Sequence, residues 1–421
     1  MSAQINKFRE YIWAMYDFAD TIFSMNVVSL YFPLLIISDF KAEDIWVSGA
    51  NSISQLVVVF LAPILGTLSD RKGKRMTQFI FLAILTTLGT MALSITSSAN
   101  LLWATMAVFI VANIAYQLSL MFYNSILPRV CPSERWGKIS GLGTALGYVG
   151  SIIGMALVMP FNTGNLFGIP VPISAGGRTA TFLPTAVLFI IFALPTLIYF
   201  LRDERKIQYP VDNSTMHPLK KIWETLKDAK KFRGIRTFLL ARLLFQEGVE
   251  TSIIFMGVFS EKAMGMPDSA KIMFFIIATT AAVIGSFIIG ILTDRFGAHR
   301  VLMSVLAGWT IGLSSLAMFP NPTIYWFAGA WLGIMLGGVW TASRPYLLHL
   351  APPELTGRFF GLYSLSGKAA AVIGPLIWGI VALSMRSFGD LTAYRSAIAS
   401  MAVLIVSGAI VLHKNRKYWS S

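Results

Sequence analysis

The sequence predicts an all-α membrane protein: twelve transmembrane helices in two pseudo-symmetric six-helix halves. Three observations predict it. Hydrophobic residues make up 55% of the 421, charged residues only 13%, and the mean hydropathy is +0.67, outside the soluble range. Apolar runs recur at the length of ~20 residues that a helix needs to cross a ~30 Å bilayer core, without the short alternating segments of a β-barrel. Loop phrases also repeat. GTLSDRKGKR (66–75) returns as GILTDRFGAHR (290–300), and PSERWGKISG (132–141) as PPELTGRFFG (352–361). Two halves with one loop grammar are the mark of a transporter built from parallel repeats.

The expected spans are 11–38, 46–69, 77–97, 100–127, 138–160, 179–201, 237–260, 269–292, 301–319, 322–349, 359–384 and 392–413. Basic residues orient them. Of 34 Lys and Arg, 25 fall on one side, including Arg71, Lys72, Lys74 and Arg75 and ten in 202–236. Six lie opposite and three lie within spans. Positive residues stay inside, so both termini are expected in the cytoplasm, in the inner membrane of a bacterium, with lipid as the surrounding partner and a monomer as the unit. The net charge of +14 therefore orients the chain and calls for no nucleic acid.

Residues 1–201 form the N-terminal half, 202–236 a cytoplasmic linker and 237–421 the C-terminal half with a short tail. Within the linker, Leu219, Ile222, Trp223, Leu226 and Ala229 share a helical face, which suits an interfacial amphipathic helix; a solvated linker fits equally. The Gly- and Pro-rich loop 161–178 reads as an external cap without regular structure. Cys131, the single cysteine, excludes an intramolecular disulfide. The first apolar run is too long for a signal peptide and carries Asp17 and Asp20, so it reads as a retained span.

Polar residues inside spans are expensive and point to function. In the first span Asp17, Asp20, Thr21 and Ser24 share one face. Glu247, Glu250 and Thr251 repeat that spacing in the seventh. The deeper acids, Asp20 and Glu250, are the stronger candidates to carry a coupled proton; Asp17 and Glu247 lie nearer the span ends, where headgroup water is an alternative. Cations face them: Lys368 deep in the eleventh span, with Tyr148 as its counterpart, and Arg344 in the tenth, with Asn124 as its counterpart. Arg242 lies nearer the surface and reads as an interface anchor. The four histidines, His217, His299, His349 and His413, lie in loops or at span ends and read as interfacial.

The repeated loop phrase has a mechanical reading. Asp70 and Asp294, followed by Arg71 and Arg295, close equivalent spans at the cytoplasmic face. A carboxylate there can cap a neighbouring helix start near Lys138 or Arg358 and hold a gate shut, or the phrase is an ordinary turn with lipid-binding cations.

These motifs resemble the major facilitator superfamily along the whole chain. More narrowly, WAMYDFADTIFS (13–24), FLLARLLFQEGVET (238–251), GILTDRFGAHR (290–300) and SRPYLLHLAPPELTGRFFGLYSLSGKAAAVIGP (343–375) resemble the branch of fungal vacuolar amino-acid effluxers of autophagy and their bacterial relatives. The chain departs from that branch at Asp20-Thr21, where the branch usually carries Asn-Ser, and at Gln246-Glu247, where it often has Asn-Asp. The resemblance implies rocker-switch alternating access around a central site near the midplane. With no Walker loop, no HExxH and no Cys/His cluster, the sequence calls for neither ATP, nor a metal, nor another cofactor. The leading expectation is a secondary symporter or antiporter, not an enzyme, that moves a small polar or zwitterionic, amino-acid-like solute with protons. Its substrate-binding set is Asp20, Thr21, Asn124, Tyr148, Glu250, Thr251, Arg344 and Lys368; its proton-coupling set is Asp17, Asp20, Glu247 and Glu250. An amphiphile or drug exporter, suited by Met- and Phe-rich spans, and a non-transporting membrane receptor or assembly factor are the other readings.

Overall fold

The computed structural model describes residues 7–72, 75–132, 136–204, 233–319, 321–351, 363, 366–367 and 372–414. Among them run α1 (Lys7–Phe23, continuing to Asp39), α2 (Asp44–Lys72), α3 (Arg75–Ser98), α4 (Leu102–Val130), α5 (Trp136–Thr163) and α6 (Phe182–Glu204). The second half supplies α7 (Arg233–Lys262), α8 (Asp268–Phe296), α9 (Ala298–Met318), α10 (Pro322–Leu350), α11 (Ile373–Met385) and α12 (Asp390–His413). Ten of these are long and apolar enough to cross a membrane. The two others are α7, which carries Arg242, Glu247 and Glu250 mid-helix, and α11, whose described part is shorter. The proposed amphipathic helix at 219–232 lies outside the described residues.

The chain packs as two compact units. One holds Met1–Lys41 and Phe60–Thr215, the other Ala42–Val59 and Met216–Ser421. Within the first, α1 packs on α5 and α6, and α3 on α4 and α6. Within the second the equivalent neighbours recur: α7 packs on α11 and α12, and α9 on α10 and α12. The repeated loop grammar thus corresponds to repeated packing.

The first unit has a widened helix. Over Ser24–Tyr31 and Leu35–Asp39 the backbone of α1 takes π-type bonding, as in Phe32 N–H to Val27 C=O. One extra residue per turn shifts the side chains that follow, and such bulges gather at functional sites. The expectation for the loop 161–178 is corrected here. Asn165–Leu166 and Ile169–Pro170 pair as a small antiparallel hairpin, and Arg178–Thr181 is a 3₁₀ turn. Phe167 and Gly168 both have positive φ (51° and 88°), the two-residue turn that suits strand twist, and Gly supplies one of them without strain. Arg178 then ties the loop to α1, donating to Leu34 O (3.1 Å) and pairing with Asp39 (2.7 Å).

In the second unit the start of α2 is held by polar contacts. Glu43 pairs with Arg386, the Tyr394 hydroxyl donates to the buried Asp44 carboxylate (2.8 Å), and Ser52 donates to Val372 O (2.6 Å). At the α7–α8 turn, Lys271 is fully buried between Glu261 and Asp268 (2.6 Å). Removing both acids strands a buried ammonium. Glu261→Gln with Asp268→Asn is therefore expected to cost about 3–5 kcal/mol, while adding Lys271→Met recovers most of it. Thermal unfolding of the three variants in detergent checks this order.

Candidate functional site

Each unit carries its own polar cluster, built on equivalent helices. In the first, the acids of α1 meet hydroxyls of α4. Tyr116 donates to Asp20 (3.0 Å), Tyr123 donates to Asp17 (2.8 Å), and Tyr16 shares a hydrogen bond with Ser119 (2.9 Å). Asp20 is buried and Asp17 half-buried. Trp13 stacks on Tyr123 at 4.4 Å, which fixes the ring whose hydroxyl reaches Asp17. The α4 residues follow i, i+3, i+7 spacing, so Tyr116, Ser119 and Tyr123 face α1 together. Sequence reasoning singled out only Asn124 on this helix. Asn124 itself is exposed, and its side-chain amide donates back to Leu120 O of its own helix. The tyrosine spacing was the signal that would have found the right face.

Helix α5 closes on α1 through glycine. At Gly150 a Cβ would collide with the backbone of Phe18, so only Gly permits this approach, and at Gly147 it would press on Thr21 and the Asp17 carbonyl. The Thr21 hydroxyl bonds to Gly147 O across that contact and to its own helix. Tyr148 is half-buried on α5. Asn26, in the widened stretch of α1, and Asn113 on α4 are both fully buried, with side-chain amides that have no partner among the described residues. Neither was singled out from sequence.

In the second unit Glu247, expected nearer the span end, is the more buried of the two acids. Glu247 is 1% exposed, whereas Glu250 is half-buried and accepts a bond from Gln246 Nε2 (2.7 Å). The reason is the direction of the face: Glu247 points at Ile373 and Gly374 of α11, which enclose its carboxylate, whereas Glu250 is less covered. The two Glu247 oxygens accept the N–H groups of Ile373 (3.0 Å) and Gly374, the first residues of α11. Thr251, next on that face, is fully buried.

Arg242 corrects another expectation. It is no interface anchor but 3% exposed, its guanidinium 3.6 Å from the Tyr363 ring centre. It donates to Tyr363 O and to Ser366 Oγ (2.8 Å). His299, at the start of α9, is likewise buried, 3.3 Å from Leu412 O. Arg344 is exposed on α10. Asp294 and Arg295 are exposed at the end of α8. Lys368 and the side chains of Asp70 and Arg71 lie outside the described residues.

The α1 and α7 clusters each hold one buried and one half-buried carboxylate on hydrogen-bond donors, an arrangement suited to exchanging a proton or holding an ammonium group. Comparison with known proteins places the chain in a family. The model of the "Vacuole effluxer Atg22 like" family matches residues 46–415. The MFS-type transporter YxiO of Bacillus subtilis (strain 168) is 28% identical, over 96% of this chain and 94% of its own. Autophagy-related protein 22-1 of Aspergillus niger is 24% identical over 64% of this chain and 45% of its own. Among solved structures, the nucleoside transporter NupG matches with a TM-score of 0.76 at 14% identity, covering 97% of this chain and 99% of NupG, a likeness of fold. The twelve helices therefore form the major facilitator fold of a multi-pass integral membrane protein, a transporter and not an enzyme. The chain belongs to the Atg22-like vacuole effluxer family of the major facilitator superfamily.

Proposed function

We propose that this transporter moves a small polar or zwitterionic, amino-acid-like solute by rocker-switch alternating access, coupled to protons. The observation that carries the reading is the pair of carboxylate clusters on the equivalent helices α1 and α7, Asp17 and Asp20 with tyrosine donors and Glu247 and Glu250 with amide donors. Carboxylates suit an ammonium group or a proton. Lys368 and Arg344, with Tyr148, Thr21 and Thr251 as polar neighbours in sequence register, suit the solute's anionic group. Asn124, exposed on α4 as Arg344 is on α10, stays in this set. Asp70, Arg71, Asp294 and Arg295 remain the candidates for a gate at the cytoplasmic face, in a bacterial inner membrane with both termini inside.

The test is uptake of labelled amino acids into proteoliposomes, with and without an imposed pH gradient. Accumulation that needs the gradient supports the reading, and Lys368→Ala should then lose solute binding while Lys368→Arg keeps part of it. Full activity with alanine at 368, together with transport of uncharged amphiphiles, would shift the assignment to the exporter.

A further inference from the structure

Glu247 occupies a place that a ligand would suit. Ile373 and Gly374 open α11, and both N–H groups donate to this one carboxylate. The free amides of a helix start carry partial positive charge and bind anions readily. Beside them Thr251 is fully buried, and its Oγ1 has no hydrogen-bond partner among the described residues. That hydroxyl is aimed at the same spot, because a Cβ on Gly374 would collide with both Thr251 Oγ1 and Glu247 Oε2. Two amides thus converge on a carboxylate beside a spare buried hydroxyl, and the carboxylate is the protein's own.

We propose that Glu247 is a resident stand-in for the carboxylate of the solute, which displaces it from the Ile373 and Gly374 amides during transport. The proposal rests on the reading of a zwitterionic solute and gives its carboxylate a place. The Ile373 bond is only part-buried while that of Gly374 is buried, so an incoming group meets Ile373 first. Once displaced, Glu247 is a carboxylate without its two donors in a site closed to water, a costly state unless it takes a proton from the solution the solute came from. Solute and proton then bind together, each strengthening the other.

The surroundings favour that linkage. Glu250 on the same helix adds negative charge near Glu247. Arg242, further back on α7, is engaged by Tyr363 and Ser366 of the eleventh span. Helix α12 meets this stretch at Gly248 with the apolar Met401 and Ile405.

Acetate, a bare carboxylate, is the probe. The full chain is purified in detergent and its thermal unfolding followed with sodium acetate against sodium chloride at equal ionic strength. In Glu247→Ala, acetate should refill the vacated site and give a saturable rise in Tm that chloride does not give. In the parent, acetate must displace Glu247. Its half-saturating concentration should rise about tenfold per pH unit above the range where acetate itself titrates, the slope of one linked proton. Glu247→Gln leaves without a proton, so its response to acetate should be flat with pH. Acetate acting no better than chloride on Glu247→Ala overturns the proposal, as does a parent-like pH slope in Glu247→Gln. If the alanine variant does not fold, the glutamine variant decides alone. Amino-acid uptake in proteoliposomes separates the two readings: selective acetate binding without amino-acid transport keeps the site and removes the solute, and the reverse removes the site.

Discussion

Asp20→Asn is expected to abolish gradient-driven accumulation while the protein still folds and reaches the membrane. Asp20 is 6% exposed, and its Oδ2 accepts the Tyr116 hydroxyl at 3.0 Å. Asparagine keeps the shape and one acceptor oxygen for Tyr116, so the α1–α4 contact survives. What it loses is the ability to bind and release a proton. Uptake should fall to equilibration across the membrane, while exchange of labelled for unlabelled solute continues. Glu250→Gln is expected to do the same from α7, where Gln246 already supports the side chain. If both variants accumulate solute against a gradient like the parent, the coupling role of these acids is wrong.

Replacing Arg242 should have the largest effect on stability. The guanidinium lies 3.6 Å from the Tyr363 ring centre and donates to Ser366 Oγ at 2.8 Å. A desolvated cation–π contact is worth about 2 kcal/mol, and hydrogen bonds from a charged donor contribute roughly 1.5–3 kcal/mol each. Arg242→Ala should therefore lower the Tm strongly and loosen the attachment of the Tyr363–Ser366 stretch to α7. Arg242→Lys discriminates between readings. A lysine cannot cover the ring and supply a planar fork of donors at once, so it should recover less than half of the loss. An interface anchor would accept lysine as readily as arginine, since either reaches headgroups by its long stem. Equal Tm for the parent and Arg242→Lys would restore that simpler role.

The sequence by itself determined the span positions, the two-fold repeat and the family. Each of these is carried by local or one-dimensional quantities. The length of an apolar run decides whether a helix can cross, and the repeated Asp-Arg phrases at 70–71 and 294–295 mark the two halves without reference to any contact. The acids on α1 and α7 were legible too, because a charge in an apolar run stands out whatever packs against it.

Partners and depth were decided only by the tertiary structure. Helical spacing shows that Asp17 and Asp20 share a face, but not that Tyr123 and Tyr116 of α4 lie opposite, since that depends on the rotation and height of a second helix. Asn124 was chosen over the tyrosines because polarity stands out in sequence and the direction of a face does not. Glu247 seemed the less protected acid while only its place along α7 was known, and it is in fact the more buried of the two. Burial of Glu247 then depends on the amides of α11, more than a hundred residues away. Free backbone donors inside a membrane must find an acceptor, and which acceptor they find is a matter of where helices meet.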